Sequence, residues 1–238
     1  MRTMKFILFA LLVPALFTSC QKINGKGETV TETRSANGFS SVSLAMDASV
    51  YILTGTETTV EVIAQENLMP YIQTQIEGDR LVIKVKNNVV LGHHDPIQVR
   101  ITAPGITSLD VSGSGLVEYQ DEWQGTVLET NISGSGRIEL GNVSCSTLKA
   151  NISGSGDIEA AGGQAETENL TISGSGNIEL RYVIAGDVDA NISGSGNIYT
   201  QSTDLLDATI SGSGSVYYLG NPQINAHISG SGNILRIL

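Results

Sequence analysis

Apolar and polar residues alternate with a period of two along the second half of the chain. In one stretch Leu148, Ala150 and Ile152 share one parity, while Asn151 and Ser153 share the other. Successive side chains of an extended strand point to opposite sides, so the first set predicts an interior face and the second a face toward water. The same alternation returns in the stretches before and after this one. The pattern therefore predicts stacked β-strands with one shared apolar core.

A tetrapeptide, Ser-Gly-Ser-Gly, recurs seven times at spacings of 21, 20, 20, 20, 18 and 18 residues, and its copies begin at Ser112, Ser133, Ser153, Ser173, Ser193, Ser211 and Ser229. A fixed period near 20 is typical of a solenoid, in which each repeat buries its apolar side only by stacking on its neighbours. The sequence predicts an all-β fold, a right-handed parallel β-helix (β-solenoid) with about 18–21 residues per coil over residues 106–238. The paired glycines predict a tight corner in each coil.

Residues 39–105 carry shorter apolar segments of period two, such as Val42/Leu44/Met46. Turn-forming residues separate these segments, and apolar spacing of the helical kind is nearly absent. This stretch is predicted to be an N-terminal β-rich part of the solenoid that covers one end of the rod. The pattern leaves open whether its strands form coils of the same solenoid or a separate cap.

The first 20 residues predict export and lipid attachment. Arg2 and Lys5 precede an apolar run, residues 6–17, which is typical of a signal peptide and too short to span a bilayer. The segment Phe17–Cys20 at its end resembles a bacterial lipobox. Residues 1–19 are therefore predicted to be a lipoprotein signal peptide, and Cys20 the lipidated residue that holds the mature protein to the membrane.

Residues 20–38 lack apolar periodicity and are rich in charged and hydroxyl residues, which predicts a flexible tether from the lipidated Cys20 to the folded part. The expected location is the cell envelope, as an outer-membrane lipoprotein, with the periplasmic and surface faces both left open. The chain of 238 residues has 13 basic and 24 acidic residues, a net charge of −11. This sign argues against nucleic acid as a partner.

Few side chains suggest catalysis. The histidines, His93, His94 and His227, fall in a predicted loop and in an outward column, and zinc or phosphate-binding motifs are missing from the sequence. No catalytic residue and no cofactor are therefore expected. With Cys20 acylated, Cys145 has no disulfide partner, and it is interpreted as a small buried residue rather than a reactive thiol.

Four glutamates recur one per repeat and are predicted to stack one coil apart on one face: Glu118, Glu139, Glu159 and Glu179. Repulsion between solvated charges at the ~4.8 Å spacing of stacked strands is only about 0.9 kcal/mol, so a solvated edge is the first interpretation. Weak bridging of the carboxylates by Ca²⁺ is the alternative.

The outward columns of serine and asparagine suggest a surface that binds an extended glycan through regularly spaced hydrogen bonds, or a face for an envelope protein. Trp123, the single tryptophan, either fills the core or, if exposed, stacks on a sugar ring. The main alternative is a carbohydrate-active enzyme, of the polysaccharide lyase or esterase type. Such a site needs acids clustered with Arg or Lys, whereas the basic residues of the repeats are scattered along the sequence: Arg137, Lys149, Arg181 and Arg236.

The segments Ser41–Leu44, Asp47–Ile52 and Leu81–Val85, followed by the repeated Ile-Ser-Gly-Ser-Gly-Asn-Ile, resemble the putative auto-transporter adhesin, head GIN domain family. The likeness extends over residues 39–238. It implies a β-helical envelope lipoprotein and supplies no catalytic residues. The expected function is a non-catalytic, adhesin-like binding or scaffolding module, with a glycan or an envelope protein as its partner.

Overall fold

The computed structural model describes residues 21–238, so the predicted signal peptide, residues 1–19, and the predicted lipidation site Cys20 lie outside the described residues. Most of this part of the chain is β-strand, and its parallel strands stack into a β-solenoid of about six turns, which confirms the predicted fold class. Among the described residues no helix has the length and apolar character needed to cross a membrane.

The N-terminal part contains nine strands: β1 (Gln21–Ile23), β2 (Thr29–Arg34), β3 (Ser41–Ala45), β4 (Ser49–Thr54), β5 (Thr59–Gln65), β6 (Ile72–Glu77), β7 (Arg80–Val85), β8 (Val89–Leu91) and β9 (Gln98–Ala103). One 3₁₀ helix, Glu66–Tyr71, connects β5 to β6. The repeat part contains ten strands: β10 (Ser108–Val111), β11 (Leu116–Tyr119), β12 (Trp123–Gly134), β13 (Arg137–Gly154), β14 (Asp157–Gly174), β15 (Asn177–Gly194), β16 (Asn197–Gly212), β17 (Ser215–Gly220), β18 (Gln223–Gly230) and β19 (Asn233–Arg236).

The core of the rod is built from columns of equivalent residues, one from each coil. At five successive corners the isoleucine that precedes the corner is buried and lies in register with its counterparts: Ile132, Ile152, Ile172, Ile192 and Ile210. Where the period falls from 20 to 18, the register between β15 and β16 shifts between Glu179 and Ile184 and again before Asp187. The shorter coil is therefore accommodated on another side of the rod, and the isoleucine column stays continuous.

The Ser-Gly-Ser-Gly segments form the corners, as predicted. Gly174 has a φ of +139°, a conformation that side chains with a Cβ rarely adopt, and a Cβ placed there would overlap the carbonyl oxygen of Gly154 in the coil below. The corner backbones also hydrogen-bond to one another, since the Ser175 amide donates to that same Gly154 oxygen at 2.8 Å. Glycine at the second position thus lets successive coils approach at a corner.

The N-terminal strands continue the same columns. β3 and β4 pair in parallel with β10 and β11, and β7 and β9 add to β3 and β4 in the same direction. Antiparallel pairs β5–β9, β2–β5 and β6–β7 then end the regular stacking. This arrangement joins a coil to a cap. All strands of residues 39–105 except β8, which pairs with β1 in a separate two-stranded sheet, belong to the same sheet as the repeats.

The expectation of a flexible tether over residues 20–38 is wrong for the described part. Strand β1 pairs in parallel with β8, and β2 pairs in antiparallel register with β5 along its whole length, from Thr29 with Gln65 to Arg34 with Val60. The segment has no apolar periodicity because it contributes edge strands, whose stability comes from backbone hydrogen bonds rather than from two buried faces.

Candidate binding site

The four glutamates form a column along one face of the rod. Glu118 of β11 lies opposite Glu139 of β13, which lies opposite Glu159 of β14, which lies opposite Glu179 of β15, as the repeat spacing predicted. Tyrosines continue the column at both ends. Tyr51 pairs with Glu118 on one side, and Tyr199 follows Glu179 on the other. We call these four carboxylates and the surface around them the glutamate face.

A groove of about 730 Å³ runs along the glutamate face. Its lining includes all four glutamates, together with Gln120, Arg181 and Tyr182. Tyr182 is 66% exposed, the highest value among the exposed aromatic and large aliphatic residues within residues 21–237. An aromatic ring therefore lies beside a row of hydrogen-bonding carboxylates, open to solvent.

Arg181 organises one end of the groove. Its Nη2 and Nε donate to Glu179 Oε2 at 2.6 and 3.0 Å, and its guanidinium carbon lies 4.5 Å from the centre of the Tyr199 ring. Tyr199 in turn stacks on Tyr217, with ring centres 4.6 Å apart and planes within 10°. The ion pair and the cation–π contact hold the arginine in place. They raise the pKa of Arg181, chiefly through its hydrogen bond to Glu179.

Arg137 lies at the middle of the column. Its guanidinium is 3.3 Å from Asp157, 3.7 Å from Glu159 and 3.9 Å from Glu139. The expectation that the basic residues of the repeats are scattered is therefore wrong for Arg137 and Arg181, since residues 20 or more apart in sequence return to one face when the chain winds. The glutamate face is an acidic surface with two arginines set into it.

Electrostatics on this face favour protonation of the central carboxyl group. Partial burial raises the pKa of Glu139, the neighbouring Glu159 and Glu118 raise it further, and Arg137 opposes the change. Burial and the charge of Glu179 raise the pKa of Tyr199. Repulsion between carboxylates in register one coil apart thus contributes to the raised pKa of Glu139, although all four side chains remain accessible to water.

Weak bridging of the glutamate column by Ca²⁺, the alternative interpretation, stays a prediction. In residues 21–238 no group of three or more His, Cys, Asp or Glu side chains is arranged to hold a metal ion. Calcium requires six to eight oxygen ligands around one point. A straight column presents its carboxylates in a line, and two of them, Glu139 and Glu159, share Arg137.

Trp123 belongs to the core. The side chain is 4% exposed, and its Nε1 donates to the carbonyl oxygen of Ile106 at 2.5 Å. The hypothesis that Trp123 stacks on a sugar ring is wrong because neither face of the ring is available. Of the two interpretations, core filling is the one that the structure bears out.

The asparagine and serine columns form a second, separate face. The Asn151 amide donates to Asn131 Oδ1 at 3.0 Å, and the Asn131 amide donates to Asp110 Oδ1 at 2.9 Å. A groove of about 480 Å³ passes over them. Because these amides already bind one another, they have less hydrogen-bonding capacity for a ligand than the carboxylates of the glutamate face.

Sequence reasoning did not single out Tyr182 or Glu168. Tyr182 lies within β15, between the recurring motifs of the repeat, where the period gives no expectation for a side chain. Glu168 had a clear signal, since it stands in the interior column where neighbouring coils have Leu148 and Val188. It is fully buried, and Thr200 Oγ1 donates to its Oε2 at 2.6 Å. Burial raises its pKa from 4.5 to about 8.

Cys145 is buried, as expected. Burial raises the pKa of its thiol to about 11, and the nearby Glu168 and Glu166 add to the effect. A thiol of this kind is protonated at neutral pH and is a poor nucleophile.

A family model for the putative auto-transporter adhesin, head GIN domain matches residues 38–222. No curated protein matches the chain. Among solved structures, a putative adhesin from Bacteroides fragilis is 24% identical, with a TM-score of 0.84, over 90% of this chain and 100% of its own. A putative lipid binding protein from Parabacteroides distasonis is 27% identical, with a TM-score of 0.80, over 92% of this chain and 100% of its own. A putative adhesin from Parabacteroides merdae is 22% identical, with a TM-score of 0.73 and the same coverage.

Proposed function

Because the chain belongs to the putative auto-transporter adhesin, head GIN domain family, we propose that it is a non-catalytic, adhesin-like binding module of the cell envelope and that its ligand is a glycan. The observation that carries the proposal is the groove of about 730 Å³ along the glutamate face, with Tyr182 exposed beside it.

The groove combines the two kinds of contact that sugars use. Sugar hydroxyls donate hydrogen bonds to carboxylates, and the four glutamates offer such acceptors at intervals of about 4.8 Å along the rod. The apolar face of a sugar ring packs on an aromatic side chain, and Tyr182 presents one. Each contact is weak, so an extended glycan that spans several coils gains affinity from their number.

Charge selects the class of glycan. The groove is lined by four glutamates against one arginine, within a chain of net charge −11. A polyanionic chain of uronic acids is repelled there, whereas a neutral glycan, or one with amino sugars, is accepted. The same sign disfavours the alternative function, a polysaccharide lyase, because the substrates of such enzymes carry carboxylates of their own.

The glutamate face nevertheless keeps the alternative testable. Arg137 lies within 4 Å of two column glutamates, and the pKa of Glu139 is raised, so a basic group stands beside a perturbed acid. If the chain were a glycan-cleaving enzyme, its catalytic residues would lie on the glutamate face, and it would shorten a glycan bound there.

We test binding with residues 21–238, which contain every described strand. The probes are a neutral cello-oligosaccharide, a glucosamine oligomer and polygalacturonate. Tyr182→Ala should weaken binding to the neutral or amino-sugar probe at least tenfold. Ile184→Ala is the matched control, since Ile184 is an exposed residue of the same strand that lines a different groove. Preference for polygalacturonate, equal loss in both variants, or shortened product would contradict the proposal.

We also propose attachment to the outer membrane through Cys20. With lipid on Cys20 the rod stands close to the bilayer, because β1 begins at the next residue and leaves no long spacer. Cys20→Ala should move the protein from the membrane fraction to the soluble one and abolish labelling by a palmitate analogue. Cys145→Ala, which alters the other cysteine, should leave both unchanged. Labelling that survives Cys20→Ala would show that the anchor is wrong.

A further inference from the structure

The last coil leaves one edge of the rod open. Strand β18 pairs with β16, and β19 pairs with β17, and neither has a partner on its other side within residues 21–238. The backbone N–H and C=O groups along that side of β18 are therefore available to another strand. An unpaired edge of eight residues without proline is a template for strand addition.

Apolar residues that belong to the core are exposed at this end. Ile224 and Ile228 are 40% and 43% exposed, whereas the residues below them in the same columns, Leu206 and Ile210, are fully buried. Covering both isoleucines would remove their exposed apolar surface from water, as the next coil does for Leu206 and Ile210. The end thus has both the hydrogen-bonding edge and the apolar layer of an incomplete stack.

The charge of this end differs from the rest of the rod. The last acidic residue of the sequence is Asp207, and residues 208–238 contain one arginine, Arg236, and no Asp or Glu, although the whole chain has a net charge of −11. Two copies of the rod repel each other where their acidic walls meet. At this end they meet without that repulsion.

The apolar pattern of β18 is symmetric about its centre. Ile224, Ala226 and Ile228 occupy its interior-facing positions, with the small residue in the middle. In an antiparallel pair centred on Ala226, Ile224 of each copy lies opposite Ile228 of the other, and Ala226 lies opposite its own counterpart. This is the self-complementarity that an isologous, two-fold interface requires.

From these observations we propose that two copies of this chain associate end to end, through antiparallel pairing of their β18 strands about a two-fold axis at Ala226. The glutamate face lies along the side of the rod, so the pairing leaves both grooves open. The dimer is then a longer rod with two binding grooves, which binds a repetitive ligand more strongly than one groove does.

Sedimentation velocity of residues 21–238 over a range of concentrations tests the association. The expected result is a species of twice the chain mass. Ile228→Lys places a charge in the interface and should weaken dimerisation at least tenfold, while circular dichroism stays unchanged because Ile228 is half-exposed in the single rod. Ile184→Lys, at an exposed position on the side of the rod, is the matched control and should dimerise normally.

Cross-linking tests the register independently. In a Cys145→Ala background, Ala226→Cys should form a disulfide-linked dimer under mild oxidation, because the two-fold axis brings the two sulfurs together. Ile184→Cys should not. A chain that stays monomeric at the highest concentration, a dimer that Ile228→Lys leaves intact, assembly into open-ended filaments, or absence of the Ala226→Cys cross-link would overturn the proposal.

Discussion

Glu168 is the residue whose replacement tests the energetics of the rod most directly. It occupies an interior position between Leu148 and Val188, with no exposed surface. Its Oε2 accepts a hydrogen bond from Thr200, and its Oε1 has no hydrogen-bond partner within the described residues. Burial disfavours the charged form, which raises the pKa of Glu168 from 4.5 to about 8.

This pKa change makes the stability of the fold depend on pH. Below pH 4.5 the carboxyl group is protonated in both the folded and the unfolded chain and contributes no dependence. Between about 4.5 and 8 only the unfolded chain ionises, so the free energy of unfolding falls as pH rises. From pH 5 to pH 8 the loss is about 3 kcal/mol, from 1.36 kcal/mol for each unit of pKa difference.

Glu168→Gln removes the ionisation and keeps an oxygen to accept the Thr200 hydrogen bond. We expect the variant to be about 3 kcal/mol more stable than the parent at pH 8 and nearly equal to it at pH 5. In thermal unfolding this corresponds to a difference in Tm of about 6–12 °C at pH 8 for a chain of this size. Urea unfolding at both pH values gives the free energies themselves.

Glu166→Gln is the matched control. Glu166 is exposed on the same strand, so water solvates its charge in the folded and unfolded chains alike, and its variant should keep the pH dependence of the parent. The reasoning is refuted if Glu168→Gln and Glu166→Gln show the same change between pH 5 and pH 8. A loss of stability in Glu168→Gln at both pH values would instead mean that the buried amide costs more than the carboxyl group.

Three further outcomes follow from the packing of the rod. Gly174→Ala should lower the free energy of unfolding by roughly 2–4 kcal/mol, because Gly174 has a positive φ and an added Cβ would overlap the backbone of the coil below. Ser175→Ala, the control, should change this free energy by less than about 0.5 kcal/mol. Urea unfolding measures both values. The folded Cys145 thiol, with a pKa of about 11 against the ordinary 9.0, should react with a thiol reagent at pH 8 about 100-fold more slowly than in urea, and a similar rate in both would contradict its burial. Trp123→Phe leaves the buried Ile106 carbonyl without its donor and should cost about 1–3 kcal/mol in thermal unfolding.

The candidate site shows how far sequence reasoning reaches on a repetitive chain. The stacking of Glu118, Glu139, Glu159 and Glu179 was predictable because a fixed period converts sequence spacing directly into a column. The clustering of Arg137 and Arg181 around these glutamates was not predicted. Arg181 contacts Glu179 on its own strand, and Arg137 contacts Glu139 on its own strand as well as Glu159 in the next coil, and repeat spacing alone does not indicate such contacts. Tyr182 was missed because it lies in the part of β15 between the recurring motifs. There the alternation of inward and outward residues does not tell which groove a side chain borders.

The solenoid, its corners and its core were predictable from the residues alone, because each depends on local rules that repeat: alternation at period two, glycine where the chain turns, and a nearly constant coil length. The three-dimensional structure was needed to reveal the partners of β1 and β2, since edge strands are held by backbone hydrogen bonds that leave no apolar pattern. The structure also shows that Trp123 is buried and Tyr182 exposed, because the exposure of a single aromatic residue depends on distant segments that pack against it. The open edge of β18 could likewise be recognised only in the structure, because whether a strand lies at the edge of a sheet depends on which strands pair with it and not on its own residues.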